Sequence, residues 1–260
     1  MKTHKVKYIS ADGIEIHGII DVPNDCSRGC IILCHGITAD KDENGKFVSL
    51  SRKLRDAGSE VLRFDFRGHG ESALKPEDMT ITGELLDLEA SISYIMEKEC
   101  KYSTIGLLAA SFGAGPAILY TVNHEDKIQT LVLWNPVLDY GQTFLKPKLP
   151  WGKSIFNPHG RKELREKGFV TIPGKDFRIG KRLVAEFSKY KPFEELTKVK
   201  CPVLTIHGIN DKKAPYWVSS AYGKPNGKSE FISVESDHGF GDKKDYVIQR
   251  TVEWFEKFSV

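Results

Sequence analysis

The stretch TIGLLAASFGAGPAILYTV, residues 104–122, contains the turn around which the rest of the chain can be arranged. Its first seven residues form an apolar run typical of a strand buried on both faces, and GPAILYTV has the apolar spacing of a helix. Ser111 stands between the two among small residues. From this stretch alone two interpretations stay open: a nucleophile held on a tight turn, or a serine that caps the helix.

The residues beside Ser111 favour the first interpretation. A turn that exposes a hydroxyl between a strand and a helix needs tiny residues two positions before and after it, because the two backbones nearly touch there. Ala109 and Gly113 meet this requirement. The same turn directs the amide of Phe112 toward a substrate, beside the positive end of the helix dipole.

Strand-like and helix-like segments alternate on both sides of this stretch. Short links and regular alternation favour a mostly parallel sheet covered by helices on both faces. We predict one α/β domain spanning residues 1–260, in which residues 138–195 form an insertion after the sixth strand. The segments are HKVKYISADGIEIHGIIDVP (4–23, a hairpin), CIILCHG (30–36), FVSLSRKLRDA (47–57), EVLRFDF (60–66), TGELLDLEASISYIMEK (82–98), TLVLWNP (130–136), CPVLTIHG (201–208), SEFISV (229–234) and DYVIQRTVEWFEKF (245–258).

Three residues that can form a nucleophilic relay each follow a predicted strand. Open parallel sheets place functional groups beyond the carboxyl ends of their strands, so Ser111, Asp211 and His238 are expected at one edge. A serine hydroxyl needs a base within hydrogen-bond reach and a third group that orients the base, and His238 and Asp211 can supply these roles. Asp139 is the rival acid, and His69 a disfavoured rival base.

The loops after the third and fourth predicted strands carry further polar residues. We expect the amide of Ile37 to join that of Phe112 in binding an oxyanion. His35, like His69, is flanked by glycine and is disfavoured as the base, and Asp65 and Arg67 are expected to tie their loop together rather than to react. His207 is expected to pack at the end of its strand.

Five segments together carry a resemblance to a known family: CHGITAD, FDFRGHGES, AASFG, HGINDKKAP and SDHGF. They resemble the α/β-hydrolase superfamily over essentially the whole chain, and more narrowly the small bacterial esterases that include cinnamoyl and feruloyl esterases. The resemblance implies an eight-stranded sheet, with Ser111 as nucleophile, Asp211 as acid and His238 as base. It also implies the Ile37 and Phe112 amides as the oxyanion hole and the insertion as a lid. Ala109 departs from the family, which usually has glycine there.

These features predict a serine carboxylic-ester hydrolase that forms an acyl-enzyme on small to medium acyl or aryl esters, without metal or organic cofactor. A thioesterase, acyltransferase or serine peptidase could use the same residues, and a ligand-binding protein without turnover is a further alternative. Trp151, Phe144 and Phe156 are predicted to contact substrate, although they could instead fasten the insertion to the body.

Composition limits the partners of the chain. Its 260 residues carry a formal net charge of +3, which is too small to attract a nucleic acid to the protein as a whole. Its apolar runs are too short to cross a bilayer. Residues 139–200 hold 15 Lys and Arg against 7 Asp and Glu. A solvated outer face explains this excess best, and an anionic substrate is the alternative. The partner we expect is a small-molecule ester, and a homodimer stays open.

Cysteine usage and the first residues bear on the compartment. Five cysteines are an odd number in a chain long enough for its own core, which favours a reducing environment. MKTHKVKYIS lacks the apolar stretch of a secretory signal, so we expect a cytoplasmic protein. Cys26, Cys30 and Cys34 recur every four residues, but such residues on a strand lie too far apart to bind one metal ion.

Overall fold

The computed structural model describes residues 2–25, 27–99, 102–258 and 260. Cys26 lies outside these residues. The expectation that Cys26, Cys30 and Cys34 do not bind one metal ion therefore stays a prediction. The described strands are β1 (Lys2–Ile9), β2 (Glu15–Val22), β3 (Cys30–Cys34), β4 (Glu60–Phe64), β5 (Ile105–Ala110), β6 (Ile128–Trp134), β7 (Phe169–Thr171), β8 (Arg178–Gly180), β9 (Val203–Gly208) and β10 (Glu230–Val234). The described α-helices are α1 (Lys46–Asp56), α2 (Ile81–Glu99), α3 (Ala114–Asn123), α4 (Pro150–Ile155), α5 (Pro158–Lys167), α6 (Lys181–Glu186), α7 (Pro192–Leu196), α8 (Tyr216–Tyr222) and α9 (Lys244–Lys257).

Eight strands form one sheet in the order β1-β2-β4-β3-β5-β6-β9-β10. The hairpin partners β1 and β2 are antiparallel, β2 is antiparallel to β4, and the remaining neighbours are parallel. The predicted mostly parallel eight-stranded sheet is therefore confirmed. The chain leaves β3 toward β4 on one side and returns to β5 on the other. Loops diverge at such a switch point, and a crevice opens at the carboxyl ends of β3 and β5.

The core lies on both faces of this sheet because side chains alternate along each strand. Ile31 and Leu33 point to the face covered by α1 and α9, whereas Ile32 points to the face covered by α2 and α3. All three are fully buried. Burial of one such side chain contributes about 1.5–3 kcal/mol, so the central strands anchor the loops that follow them.

The insertion at 138–195 contains more structure than its sequence pattern predicts. The sequence predicts two short helices in the insertion, RKELREK (161–167) and KRLVAEFSKY (181–190). They correspond to α5 and α6, the latter ending at Glu186. The insertion also holds α4, the start of α7 and the antiparallel pair β7 and β8. A strand of three residues is too short to show alternation, so the sequence does not predict β7 and β8. It does not predict α8 either, because seven residues are too few to show a clear helical period.

The turn between β5 and α3 brings the backbone before the helix against the end of β3. A 3₁₀ segment spans Ser111–Gly113, and Ser111 has a φ of 51°, a conformation that L-residues rarely adopt. A Cβ atom on Gly113 would lie 2.4 Å from the carbonyl oxygen of His35 and 2.9 Å from that of Cys34. The start of α3 therefore presses directly on the end of β3, and only glycine fits.

We expect Gly113→Ala to lower the free energy of unfolding by about 1–3 kcal/mol, because the added methyl meets backbone atoms that cannot rotate away. The measurement is urea unfolding followed by far-UV circular dichroism. Gly227→Ala is the matched control, since a Cβ there meets nothing within 4 Å, and it should stay within about 0.5 kcal/mol of the parent. Equal stability of the two variants would contradict the close contact.

Candidate active site

Ser111 is presented by the turn and does not cap the helix. It is the first residue of the 3₁₀ segment, which Ala110 caps, and the capping position of α3 is Gly113. Its backbone carbonyl accepts a hydrogen bond from the amide of Val137 at 2.9 Å, which ties the turn to the chain after β6. A non-glycine residue at positive φ costs about 1–3 kcal/mol, and such strain persists only where surrounding contacts hold it.

The side chains of Ser111, His238 and Asp211 lie in one hydrogen-bonded row. Nε2 of His238 is 2.9 Å from Oγ of Ser111, and Nδ1 of His238 is 2.7 Å from Oδ2 of Asp211. An ionised carboxylate only accepts, so the proton of the imidazole lies on Nδ1 and its Nε2 is free to accept from the serine hydroxyl. This is the arrangement in which a histidine can take the proton of a serine.

The carboxylate of Asp211 is buried and fully hydrogen-bonded. Its Oδ1 accepts the amides of Lys213 at 2.7 Å and Ala214 at 3.0 Å, and its Oδ2 accepts Nε2 of His207 at 3.1 Å as well as His238. Burial alone would raise the pKa of this carboxyl, but the hydrogen bonds from His207 and His238 outweigh it and hold the pKa well below its usual range. Asp211 is therefore a fixed negative charge behind His238.

The side chain of Asn135 and a close backbone approach at Gly208 hold together the loops that carry Asp211 and His238. The side-chain amide of Asn135 donates to the carbonyl of His238 at 2.9 Å, and its side-chain oxygen accepts the amide of Gly208 at 2.8 Å. A Cβ on Gly208 would lie 2.5 Å from the carbonyl oxygen of Ser236, so glycine allows the two loops to approach. Asn135 was not singled out from the sequence, although it directly follows a buried strand.

A cleft of about 340 Å³ opens at Ser111 and His238 and is also lined by Gly36 and Ile37. The amide of Ile37 has no hydrogen-bond partner within the described ranges. That of Phe112 lies in the first turn of its segment, where amides lack an acceptor within the helix. Both positions suit the predicted oxyanion role. Across the described residues, no cluster of three His, Cys, Asp or Glu is placed to hold a metal ion.

The rival acid and bases have other partners. Both carboxylate oxygens of Asp139 accept from Gln142, at 2.9 and 2.7 Å. Nε2 of His35 accepts the amide of Phe66 at 3.0 Å, and its Nδ1 donates to the carbonyl of Gly36 at 2.9 Å. Burial, and then the electrostatic interaction with the neighbouring His35, lower the pKa of His69 to about 3. These side chains stabilise loops at the site rather than joining the row.

Asp65 and Arg67 are both tied into the structure, but not to each other. Oδ2 of Asp65 accepts Nζ of Lys41 at 2.8 Å, and the carboxylate is buried. The guanidinium of Arg67 pairs with Asp87 at 2.7 Å and with Asp12 at 2.7 Å. The structural role of these residues therefore rests on one ion pair of Asp65 and two separate ion pairs of Arg67.

Comparison with known proteins gives the family. The model of the Hydrolase_4 family, described as serine aminopeptidase, S33, matches residues 25–222. The chain belongs to this family. "Uncharacterized protein YqkD" of Bacillus subtilis (strain 168) is 29% identical over 252 residues, 95% of this chain and 76% of that protein. Lysophosphatidylserine lipase ABHD12 of Danio rerio is 25% identical over 232 residues, 85% of this chain and 55% of that protein.

Solved structures confirm the fold of this S33-family chain. Est1E from Butyrivibrio proteoclasticus with ferulic acid bound has a TM-score of 0.82 at 23% identity, covering 97% of this chain and 98% of that one. Esterase Pf2001 from Pyrococcus furiosus has a TM-score of 0.74 at 19% identity, covering 100% and 94%. The chain is thus an α/β hydrolase, and the predicted resemblance to small bacterial esterases is confirmed.

The three aromatic residues predicted to contact substrate do not line the cleft at Ser111 in the S33-family chain. Phe144 and Phe156 are 0% and 4% exposed, and neither they nor the half-buried Trp151 line the cleft at Ser111. Phe144 instead stacks on Phe187 at 4.4 Å and contacts Phe112 at 5.9 Å. The alternative role, fastening the insertion to the body, is the one these contacts support.

The basic residues of the insertion also lie away from the cleft. All 15 Lys and Arg between Asp139 and Lys200 are exposed, and none lines the cleft at Ser111. Several pair with acids of the same region, as Lys167 does with Glu163 at 3.3 Å. The excess charge is a solvated outer face, as the sequence favoured. No helix in the described part of the chain is long and apolar enough to cross a membrane.

His207 is the functional residue whose role the sequence reading missed. It is fully buried, donates from Nε2 to Asp211, and has no partner for Nδ1 within the described residues. Packing alone does not explain an imidazole whose one hydrogen bond goes to the acid of the row. The sequence carries a signal for this contact, because Asp211 follows His207 by only four residues with Gly208 between them. A loop of this length can turn back and bring Asp211 to the end of β9.

We expect His207→Leu to lower kcat for ester hydrolysis by about tenfold to 100-fold, because a hydrogen bond to a charged group contributes about 1.5–3 kcal/mol. KM should change by less than about twofold, since His207 does not line the cleft. His207→Gln keeps an N–H donor and should recover part of kcat. Steady-state kinetics on variants with parental far-UV spectra make the measurement. A loss of the same size in both variants would indicate that His207 only packs.

Proposed function

We propose that this α/β hydrolase is a serine carboxylic-ester hydrolase that works through an acyl-enzyme. The observation that carries the proposal is the unbroken row of hydrogen bonds from Ser111 through His238 to Asp211, with its serine end opening on a cleft. A serine that only packed or capped a helix would need neither a histidine at 2.9 Å nor a strained backbone.

In the first half of the proposed reaction, Oγ of Ser111 attacks the ester carbonyl while Nε2 of His238 takes its proton. The charge that develops on the imidazole is stabilised by the carboxylate of Asp211. The carbonyl oxygen becomes an oxyanion and accepts hydrogen bonds from the amides of Ile37 and Phe112. The tetrahedral intermediate then loses the alcohol, which leaves with the proton from His238, and the acyl group stays on Ser111.

In the second half, water replaces the alcohol. Nε2 of His238 takes a proton from this water while the water oxygen attacks the acyl carbon. The amides of Ile37 and Phe112 again bind the oxyanion that forms. Collapse breaks the bond to Oγ, returns the proton from His238 to Ser111 and releases the carboxylic acid. No step calls on a metal or organic cofactor.

The cleft indicates the size of substrate that the proposal involves. A volume of about 340 Å³ is at the lower end for ligand pockets, so we propose small to medium acyl or aryl esters. A peptidase is the second candidate, because the family that matches the chain is described as serine aminopeptidase. A thioesterase or acyltransferase would use the same row and differ only in leaving group or acceptor.

The test is hydrolysis of p-nitrophenyl butyrate by Ser111→Ala. We expect kcat/KM to fall by at least about 10³-fold, since an alanine cannot form the acyl-enzyme. Ser220→Ala, at an exposed serine of α8, is the matched control and should keep parental activity. The measurement is the initial rate of p-nitrophenolate release. Full activity of Ser111→Ala would overturn the mechanism, and an inactive parent would indicate a binding protein.

A panel at equal concentrations separates the candidate reactions. It contains aryl and alkyl esters, an acyl thioester and aminoacyl p-nitroanilides. The proposal requires the highest kcat/KM on an ester. A higher value on an aminoacyl p-nitroanilide would establish the peptidase instead.

A further inference from the structure

The cleft at Ser111 has an unequal balance of charge. Three lysines line it, Lys46, Lys213 and Lys244, against one acid, Glu43. All four belong to the body of the fold and not to the basic insertion. The cationic character of the cleft is therefore a feature of the body of the fold, where Lys46 begins α1 and Lys244 begins α9.

Glu43 offsets only one of the three lysines. Its Oε1 is 3.3 Å from Nζ of Lys46, and its Oε2 accepts the amide of Gly36 at 2.8 Å. The side chain of Glu43 is 8% exposed. It is thus committed to Lys46 and to the loop before Ile37, and it leaves the charges of Lys213 and Lys244 uncompensated.

Among the residues that the structure describes, no carboxylate lies within 4.0 Å of the ammonium group of Lys213 or of Lys244. The adjacent lysines, Lys212 and Lys243, each lack one of the two properties that matter, a place in the cleft or an unpaired charge. Lys212 does not line the cleft, and Lys243 pairs with Asp242 at 2.9 Å. Lys213 stands two residues after Asp211 and its amide holds that carboxylate. These two unpaired cations therefore come from segments that adjoin the acid and the base of the row.

We propose that the substrate carries an anionic group, a carboxylate or phosphate, which Lys213 and Lys244 bind beside Ser111. The inference rests on the proposed ester hydrolysis and names its substrate class. Two uncompensated cations at the edge of a cleft attract an anion and hold it against exchange with water. The anion then fixes which way the ester lies across Ser111.

A second cleft supports this orientation. It has a volume of about 360 Å³ and shares Thr38, Ala39 and Asn44 with the first. Its lining includes three acids, Asp40, Asp42 and Asp176, of which Asp42 is paired with Arg63 and the other two supply the negative charge. An anionic group directed that way would meet like charge, so the two adjoining clefts give the groove a cationic end near His238 and an acidic end away from it.

The anion can lie on either half of the ester, and two isosteric pairs distinguish these sources. Meta-carboxyphenyl butyrate and meta-carbamoylphenyl butyrate place the charge, or its neutral amide analogue, on the alcohol. Monophenyl adipate and phenyl adipamate place it on the acid. Within each pair only the charge changes, so the ratio of the two kcat/KM values measures recognition of the anion.

We expect the parent protein to favour the carboxylate in at least one pair by about tenfold at low ionic strength. Lys213→Gln and Lys244→Gln should each lower that ratio by about threefold to fivefold, as for partly exposed charge pairs. Lys212→Gln and Lys243→Gln are the matched controls and should leave the ratio unchanged. The ratio should also fall as added salt screens the charges.

A ratio near one in both pairs would overturn the inference, as would equal effects of the control lysines. Either result leaves ester hydrolysis, and hence the proposed function, standing. Absence of hydrolysis of all four esters by folded protein would overturn the proposed function and the inference together.

Discussion

The strained turn at Ser111 is the constraint on which the site depends. Its φ of 51° is held because β5 enters from a fully buried sheet position, α3 starts immediately, and Gly113 lies against the carbonyls at the end of β3. The same contact places the loop of Ile37 next to Ser111, since a Cβ on Gly36 would lie 2.9 Å from that of Ser111. The proposed nucleophile and the proposed oxyanion amide are thus positioned by close packing between backbone segments.

Asp211 organises the opposite side of the site. Its carboxylate collects two backbone amides and two imidazoles, so each of its oxygens has two donors. Four donors compensate the burial of a charge that would otherwise be unfavourable, and they leave the carboxylate no freedom to turn. Because His238 is fixed by this carboxylate at Nδ1 and by Asn135 at its carbonyl, its Nε2 can only be directed at Ser111.

Residues at strand ends could be predicted from the sequence, whereas side-chain directions in the insertion could not. Ser111, Asp211 and His238 each follow an apolar run, and parallel strands bring their carboxyl ends to one edge whatever the helices do. Phe144 shows the limit: an aromatic residue in an irregular segment has no periodicity to say which way it points, and it lies in the core instead of the cleft. His207 lies on a correctly predicted strand, and its spacing from Asp211 is a signal in the sequence, but only the folded loop shows that the two side chains meet.

If the row of hydrogen bonds activates the hydroxyl of Ser111, this residue should react rapidly with a fluorophosphonate. The measurement is the rate of covalent labelling, with the modified residue located by mass spectrometry of the digested protein. We expect one adduct, on Ser111, and a labelling rate at least about 100-fold lower in His238→Ala, which lacks the base. Labelling of Ser111 at equal rates in both proteins, or no labelling of the parent, would contradict it.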